Sequence, residues 1–278
     1  MNTKSQLADG KDASLAPRLK IPLGGIIYPI LFQQLQPRIG FPWAVRATGF
    51  LALITFLLSF AVLRDHKVTG TKPRALVDTK AFHEPPFMLY MIALTVRSAG
   101  YWVPFFYIST FATSHLHTSP QTGFYLLTIT NAGGFVGRLL PGMLPKVLAS
   151  VEVLPVATAL AGLITLAWIS IHNLAGFVVF CIVYGILAGV SITMLTIMVP
   201  LLSPPDAVQD TIGTRLGMAY CACGIGILFG SPVAGALADL RTGDFTRAQA
   251  FAGAMQLGAV AMLGYPWYVV RRKAWSKS

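Results

Sequence analysis

The sequence predicts an all-α polytopic membrane protein, and three observations lead to that fold class. Hydrophobic residues make up 55% of the chain and charged residues only 11%, whereas soluble domains contain about 25% charged residues. The mean hydropathy is +0.66. Apolar segments of roughly twenty residues, the length that crosses a bilayer core, recur from Phe41 to Val270. A soluble enzyme is therefore excluded.

The apolar segments predict one doubtful and seven clear membrane-spanning helices. The doubtful segment, Leu19 to Leu35, is interrupted by Pro22 and Pro29. Strands of a membrane β-barrel would alternate polar and apolar residues over about ten positions, and this pattern is absent from the sequence. The clear spans are Phe41 to Leu63, Phe87 to Ala112, Thr122 to Leu144, Val151 to Ile171, Leu174 to Leu202, Leu216 to Ala238 and Gln249 to Val270.

The basic residues predict the orientation, because cytoplasmic loops are enriched in lysine and arginine. Most of the 21 basic residues fall on one side of the membrane if the first span begins inside the cell. Both termini are then cytoplasmic, and the net charge of +11 reflects topology and contact with an anionic lipid leaflet. Nucleic acid is not expected as a partner, since the basic residues are scattered over separate loops. The predicted location is the cell membrane.

Polar segments set the predicted domain boundaries. Residues 1–20 have no apolar core and are expected to form a cytoplasmic tail rather than a signal peptide. Residues 64–86 are the one long internal polar segment and end in Pro85 and Pro86, so they are interpreted as a cytoplasmic linker. This linker separates residues 21–63 from a six-helix bundle at 87–270, and residues 271–278 form a second cytoplasmic tail.

Cysteine and histidine do not predict a metal site. Cys181, Cys221 and Cys223 all fall inside predicted spans, where packing as small apolar residues is the favoured interpretation. All five histidines fall in loops, and the pair His115 and His117 is too little for a metal site. No metal and no cofactor are predicted.

Several strings of residues are typical of one family of transport proteins. They are Gly24 to Ile30 with Gly40 to Arg46, Pro85 to Phe87 with Tyr101 to Tyr107, Asn131 to Gly142, and Gly213 to Met218 with Gly230 to Leu237. In that order they resemble the fifth and sixth, seventh, eighth and eleventh helices of fungal monocarboxylate-porter-like members of the major facilitator superfamily. The last match is the most specific, and the resemblance covers the chain from Ile21 to its C-terminus.

The resemblance implies a major-facilitator-type bundle with about eight transmembrane helices. A complete transporter of this superfamily has two six-helix halves, with the substrate site between them near the bilayer midplane. This sequence would supply the last two helices of the N-terminal half, as a remnant at 21–63, and the complete C-terminal half at 87–270. The first four helices are expected to be missing. Either the chain is a truncated gene product or gene model, or it works only with a partner membrane protein.

Arg97 and Arg138 are the predicted charges of a substrate site. Arg97 lies about ten residues into its span, where a charge costs roughly 2.5–3.5 kcal/mol and usually faces a cavity or a partner. We expect it to hold an anionic or hydrogen-bonding substrate group, with capping of backbone carbonyls as an equal alternative. Arg138 matches the helix-eight arginine that the resemblance links to a substrate carboxylate or to proton-coupled gating. Gly134 replaces the aspartate of animal relatives one turn earlier, so a gate or anchor at the cytoplasmic end is at least as plausible.

Aromatic and uncharged polar residues complete the predicted substrate site. Tyr101 and Phe105 belong to an aromatic cluster on one helix, and Asn131 and Gln256 lie within later spans. Such a lining suits an amphipathic, mostly uncharged substrate such as a heterocycle or a polyketide-like acid. The alternative is that the aromatic residues anchor their helix at the membrane interface. All ten acidic residues fall in loops or at helix edges, so no proton carrier is predicted.

Glycine, proline and one arginine predict close helix packing or gating. Packing is the favoured interpretation of small residues within spans, and bending at prolines during rocking motions is the functional alternative. Where the superfamily usually carries a Gly-x-Leu-x-Asp-Arg signature, Pro145 and Lys146 stand instead, so this gate is degraded or specialised. The predicted gating and packing residues are Gly137, Gly142, Arg215, Gly217, Gly230 and Pro232.

The function implied by the resemblance is transport of a small organic molecule by alternating access, with efflux of a secondary metabolite as the favoured direction. The expected partners are this substrate, which includes a carboxylate as one option, and the lipid bilayer. A non-transporting remnant or half-module that binds another membrane protein is the alternative. An intramembrane enzyme is disfavoured, because no Ser/His, Asp/Asp or metal-ligand set occurs in any span.

Overall fold

The computed structural model describes residues 31, 34–35, 38–61, 76–143, 152–204, 211–239 and 242–275. These residues form helices joined by turns, with one isolated antiparallel bridge between Asp239 and Asp244. The chain divides into two compact units, Met1–Pro73 and Arg74–Ser278. The predicted all-α fold class is confirmed.

The first unit contains helix α1, Arg38–Ala61, which is 24 residues long. The hydroxyl groups of Thr48 and Thr55 each donate to a carbonyl oxygen one turn earlier, at 3.0 Å. These bonds satisfy two polar groups within an apolar segment. The helix covers most of the predicted span Phe41 to Leu63. The doubtful segment Leu19 to Leu35 lies outside the described residues, apart from positions 31, 34 and 35.

The second unit contains seven α-helices in its described part, preceded by a short 3-10 helix, Thr79–His83. Asp78 caps this 3-10 helix, because its Oδ1 accepts from the backbone N–H of Lys80 at 3.1 Å. A second 3-10 helix, Trp168–Ser170, follows α5. The α-helices are α2 (Pro85–Tyr101), α3 (Val103–Ser114), α4 (Pro120–Met143), α5 (Val153–Ala167), α6 (Leu174–Leu202), α7 (Ile212–Leu237) and α8 (Thr246–Trp275).

Two of the predicted spans differ from the observed helices where candidate site residues lie. The span Phe87 to Ala112 is divided into α2 and α3 at Trp102, because Pro104 has no N–H to donate to the carbonyl of Gly100 and its ring crowds that carbonyl. Helix α7 begins at Ile212, one turn before the approximate start predicted at Leu216. This difference places Arg215 inside the helix.

Helix α6 agrees with its prediction at both ends. The side chain of Asn173 accepts from the backbone N–H of Gly176 at 2.7 Å, which is the usual N-cap arrangement. The helix ends at Leu202, and the N–H of Ser203 returns to the carbonyl of Val199. The bounds predicted from hydropathy are therefore confirmed for this helix.

Four described helices are long and apolar enough to cross a membrane. They are α1, α5 together with its following 3-10 helix, α6 and α7. Helices α4 and α8 are also long, at 24 and 30 residues, but carry more polar and small residues. The chain is a multi-pass membrane protein.

The helices of the second unit contact one another in a series. Helix α4 packs on α6, α6 on α5, α5 on α8, α8 on α2 and α2 on α7, while α3 packs on α4. The backbones of α4 and α6 touch directly, since a Cβ at Gly137 or Gly185 would overlap the carbonyl oxygen of Ile186 or Thr130. Small residues allow this close approach.

Candidate functional site

A buried arginine lies inside the second unit. Arg97, about three turns into α2, is 2% exposed, and its Cζ lies 4.2 Å from the ring centroid of Tyr101. The two side chains meet because residues i and i+4 share a helix face. Among the described residues, Nε and Nη2 of Arg97 have no hydrogen-bond partner. Two donors of a buried cation are therefore left without an acceptor in the described part of the chain.

A second arginine approaches the same phenol. Arg138 is half-buried on α4, at the level where Gly189 of α6 touches its backbone. Its Nε also lacks a partner within the described part of the chain. Arg97 and Arg138 both interact electrostatically with Tyr101. The positive charges of both arginines therefore act on Tyr101, and Arg97 also contacts its ring.

Tyr101 also fixes the end of α2 against α6. Its hydroxyl donates to the carbonyl oxygen of Ala188 at 2.9 Å, and the hydroxyl of Tyr184 donates to the Tyr101 carbonyl. The ring centroid of Phe105 lies 6.0 Å from that of Tyr101 and 5.9 Å from that of Tyr184. These contacts form an aromatic wall at the junction of α2 and α3.

The two predicted amide residues differ in their surroundings. Gln256 on α8 is fully buried, and its Nε2 donates to the Thr165 hydroxyl of α5 at 3.1 Å. Its Oε1 has no partner among the residues that the structure describes. Asn131 on α4 is half-buried, and its Nδ2 donates to the carbonyl of Leu127 one turn earlier, at 2.9 Å. Nε2 of Gln256 also donates to the carbonyl of Ala252 at 3.3 Å, so only its oxygen is unsatisfied among the described residues.

A charge cluster at the other end of α2 ties α7 to the segment that precedes α2. We call it the Arg215 clamp, and it consists of Arg215, Asp78, Glu84 and Ser203. Nε of Arg215 donates to Asp78 Oδ2 at 2.8 Å, while Nη1 and Nη2 donate to the two Glu84 oxygens at 2.8 and 2.6 Å. Nη1 also lies 3.4 Å from the Ser203 hydroxyl. Bidentate pairing of this kind fixes orientation as well as position.

Burial and the charge of Arg215 together determine the ionisation of Asp78 in the clamp. Arg215 is 1% exposed, Asp78 9% and Glu84 28%. Burial raises the pKa of the Asp78 carboxyl, but the hydrogen bond and positive charge of Arg215 outweigh burial, and the Thr211 hydroxyl and the Lys80 amide assist. The pKa of Asp78 therefore lies below its usual range. The clamp is an ionised, largely water-excluded contact.

The sequence predicted Arg215 as a gating or packing residue but gave it no partner. Asp78 and Glu84 were missed as functional residues, because they lie 137 and 131 residues away along the chain. One local signal was present: Pro85 at the first position of α2 makes Glu84 the N-cap, which holds its side chain at the helix start.

The other predicted gating and packing residues fall into two groups. A Cβ at Gly137 or Gly230 would overlap the carbonyl oxygen of Ile186 or Ala99, so these two glycines allow direct backbone contact. The second group is exposed. Its members are Gly142, Gly217 and Pro232.

Residues 21–221 match the family model described as Major Facilitator Superfamily. The match includes α1 to α6 and the first part of α7. The matched residues therefore belong to both compact units of the chain.

Curated relatives of the chain are fungal transporters. "MFS-type transporter dbaD" of Emericella nidulans is 31% identical over 215 residues, which are 77% of this chain and 48% of that protein. "Aspyridones efflux protein apdF" of the same organism is 33% identical over 246 residues, 87% of this chain and 49% of that protein. "Agnestins efflux protein AgnL12" of Paecilomyces divaricatus is 28% identical over 217 residues, 77% and 48% of the two chains. The chain spans about half the length of the curated relatives it matches.

Proposed function

Because the chain belongs to the Major Facilitator Superfamily, we propose that it takes part in moving a small organic molecule across a membrane by alternating access. The proposed direction is efflux and the proposed substrate is a secondary metabolite. The names of two relatives, efflux proteins for aspyridones and for agnestins, support both points. The strings that resemble monocarboxylate porters support a substrate with an acidic group.

The proposed substrate class depends on the unpartnered nitrogens of Arg97. Leaving a charge buried without compensation costs several kcal/mol, and two of the guanidinium nitrogens have no partner among the described residues. A bound anion would supply the missing acceptors. Arg138 brings a second positive charge to the same phenol. The site therefore suits an organic anion, a carboxylate or an enolate.

The aromatic wall supports a substrate with a planar apolar body. The Tyr101 ring lies beside Arg97 and contacts the ring of Phe105, and aromatic pairs contribute about 0.5–1.5 kcal/mol beyond their buried area. An acidic group held by Arg97 would place the rest of the molecule against these rings. Gln256 Oε1 offers an acceptor for a substrate hydroxyl or N–H.

The proposed topology places the Arg215 clamp in the cytoplasmic half of the protein. Arg271 and Arg272, at the end of α8, are exposed, and clustered basic residues favour the cytoplasmic side. Both termini would then be cytoplasmic and the protein would lie in the cell membrane. Gating by Gly142, Gly217 and Pro232 belongs to the same proposal, since bends in helices allow rocking between bundles.

Efflux from yeast cells that express the full chain tests this proposal. The cells are loaded with a panel of aromatic carboxylic acids or with the corresponding uncharged amides, and the rate of release is measured. We expect faster release of at least one acid, but not of its amide, than from cells without the protein. Arg97→Gln and Arg138→Gln should lose this release, whereas Arg247→Gln, an exposed arginine of α8, should keep it.

Two results would contradict the proposal separately. Equal release with and without membrane-inserted protein, for every compound, would refute transport by this chain. Equal release of acids and amides, or full activity of Arg97→Gln, would refute the anionic substrate site while leaving transport intact.

A further inference from the structure

The surface between the start of α5 and the end of α8 contains two adjoining cavities. The larger, of about 460 Å³, lies between Val156 of α5 and Val260 and Gly264 of α8. The smaller, of about 310 Å³, lies along α8, and both are lined by Trp267 and Arg271. We call the two cavities together the α5–α8 groove. Each has the volume of a small-molecule site.

The groove lies at the depth where a membrane helix leaves the hydrocarbon core. Helix α8 has 30 residues and is about 45 Å long, whereas the hydrocarbon core is about 30 Å thick. Arg271 and Arg272, close to the end of the helix, are exposed. Trp267 and Tyr268 precede them by one turn, and tryptophan and tyrosine are enriched where the hydrocarbon meets the headgroups. The groove therefore extends from the acyl chains to the lipid headgroups.

The walls of the groove favour an acyl chain. Leu160 and Leu163 continue the line of Val156 along one face of α5, and the three side chains are 44%, 53% and 55% exposed in that order. A Cβ built on Gly264 would meet no atom within 4 Å, which leaves space near the Trp267 ring. Because the hydrocarbon core contains no water, apolar surface at this depth contacts acyl chains.

The rim of the groove carries a net positive charge. The Cζ of Arg271 lies 5.1 Å from the ring centroid of Trp267, which holds the guanidinium over the groove. Nη1 of Arg271 lies 3.7 Å from Oε1 of Glu152, and both side chains are about half exposed, so this pair contributes little to stability. Within the described ranges, Arg272 forms no ion pair. Two arginines against one glutamate leave an excess cation at the headgroup level.

We propose that the α5–α8 groove binds one anionic phospholipid. Its headgroup phosphate lies against Arg271 and Arg272, since the planar guanidinium fork matches phosphate oxygens, and one acyl chain follows Val156 and Gly264 between the two helices. Basic pockets between membrane helices bind anionic headgroups in this way. General attraction of basic loops to an anionic leaflet would need neither an apolar wall nor a fixed stoichiometry. The bound lipid would bridge α5 and α8 at this end of the bundle.

Quenching of tryptophan fluorescence by brominated lipids tests the site. The full chain is reconstituted into phosphatidylcholine vesicles that contain increasing fractions of dibrominated phosphatidylserine or, separately, of dibrominated phosphatidylcholine. The signal of Trp267 is the difference between the wild type and Trp267→Phe. We expect half-quenching of this signal at a lower fraction of phosphatidylserine than of phosphatidylcholine. Neither transport nor orientation enters the measurement, because both leaflets have the same composition.

Substitutions of opposite sign separate the site from a folding defect. Arg272→Gln should require roughly five times more phosphatidylserine for half-quenching, which is the effect of one basic residue near an anionic surface. Glu152→Gln should require less than the wild type, because it removes the negative charge at the rim, and damage to the fold would not strengthen binding. Arg247→Gln is the matched control, since Arg247 is exposed at the start of the same helix, and it should behave as the wild type does.

Four results would overturn the proposal. Equal quenching of Trp267 by the two lipids would show that the groove takes any phospholipid, and no quenching by either would show that protein covers it. Unchanged half-quenching in Arg272→Gln and Glu152→Gln would remove the rim charges from the site. Relief of the quenching by excess soluble glycerophosphoserine, present on both sides of the membrane, would show that the site binds a free phosphate compound rather than a lipid.

Discussion

Replacing Arg215 with methionine tests how firmly the start of α7 is held to the segment that precedes α2. Methionine keeps apolar volume beside Phe87, whose ring centroid lies 5.2 Å from the Arg215 Cζ, and removes the positive charge. The substitution breaks three charge-assisted hydrogen bonds of 2.6–2.8 Å. It leaves Asp78, which is 9% exposed, without its counter-charge.

The expected loss of stability depends on how far water can solvate each carboxylate after the substitution. Removing one partner of a buried ion pair costs about 3–5 kcal/mol, and Asp78 cannot be hydrated where it lies. Glu84 is 28% exposed, so water compensates part of its loss. We expect the free energy of unfolding to fall by about 3–5 kcal/mol for Arg215→Met, by about 1.5–3 kcal/mol for Asp78→Asn, and by less for Glu84→Gln.

Unfolding by sodium dodecyl sulfate in mixed micelles, followed by circular dichroism, provides the measurement. Arg247→Met is the matched control, because Arg247 is exposed and surface substitutions change stability by about 0.5 kcal/mol or less. In a double-mutant cycle, Arg215 and Asp78 should show a coupling energy of about 0.5–3 kcal/mol. A coupling energy of zero, or an Arg215→Met protein as stable as the Arg247→Met control, would refute the reasoning.

Three further predictions concern acid stability, the buried arginine and the glycines. The Asp78 carboxyl has a lower pKa in the folded than in the unfolded protein. Its contribution to the free energy of unfolding is therefore complete above the ordinary pKa of about 3.9, and it is lost as the pH falls through that value towards the lower folded pKa. Asp78→Asn should therefore flatten the loss of stability in an unfolding series from pH 6 to 3, and an unchanged slope would contradict this. Arg97→Met should leave the free energy of unfolding unchanged or raise it by up to about 1–3 kcal/mol, because it removes two buried donors without partners among the described residues. The same variant should abolish export. Clear destabilisation in the same unfolding assay would instead indicate a structural arginine. Gly137→Ala should lower the free energy of unfolding by about 1–3 kcal/mol, because the new Cβ overlaps α6. Gly217→Ala has nothing within 4 Å of the new Cβ, so its higher helix propensity should raise the free energy of unfolding by up to about 1 kcal/mol. Equal melting temperatures for the two variants would contradict the packing described.

Hydropathy was sufficient to predict the fold class, because burial in lipid imposes long apolar segments on the sequence itself. Both ends of α6 were predicted from hydropathy, and in the structure Asn173 caps its start. The division of the seventh-helix segment at Trp102 was not predicted. Prolines within spans are expected to bend helices, but the effect of Pro104 depends on whether neighbouring groups satisfy the released carbonyl.

The candidate site was predictable only where a single residue is unusual in its segment. Arg97 stood out because a charge within an apolar span is rare. The partners of Arg215 could not be predicted in the same way, since Asp78 and Glu84 lie 137 and 131 positions away along the chain.

Direct backbone contact between helices has a consequence for how this sequence can vary. At three helix pairs, α4 with α6, α2 with α7 and α2 with α8, glycines take the place of side chains, so the interface is made by main-chain atoms that every amino acid shares. Phe105 can then be exchanged for another residue without loosening these pairs, and a new substrate preference can arise on an unchanged framework, whereas Tyr101 and Tyr184 hold α2 against α6. Variation should be low at the glycines and higher at Phe105. The contact glycines are Gly100, Gly133, Gly137, Gly185, Gly189, Gly226 and Gly230.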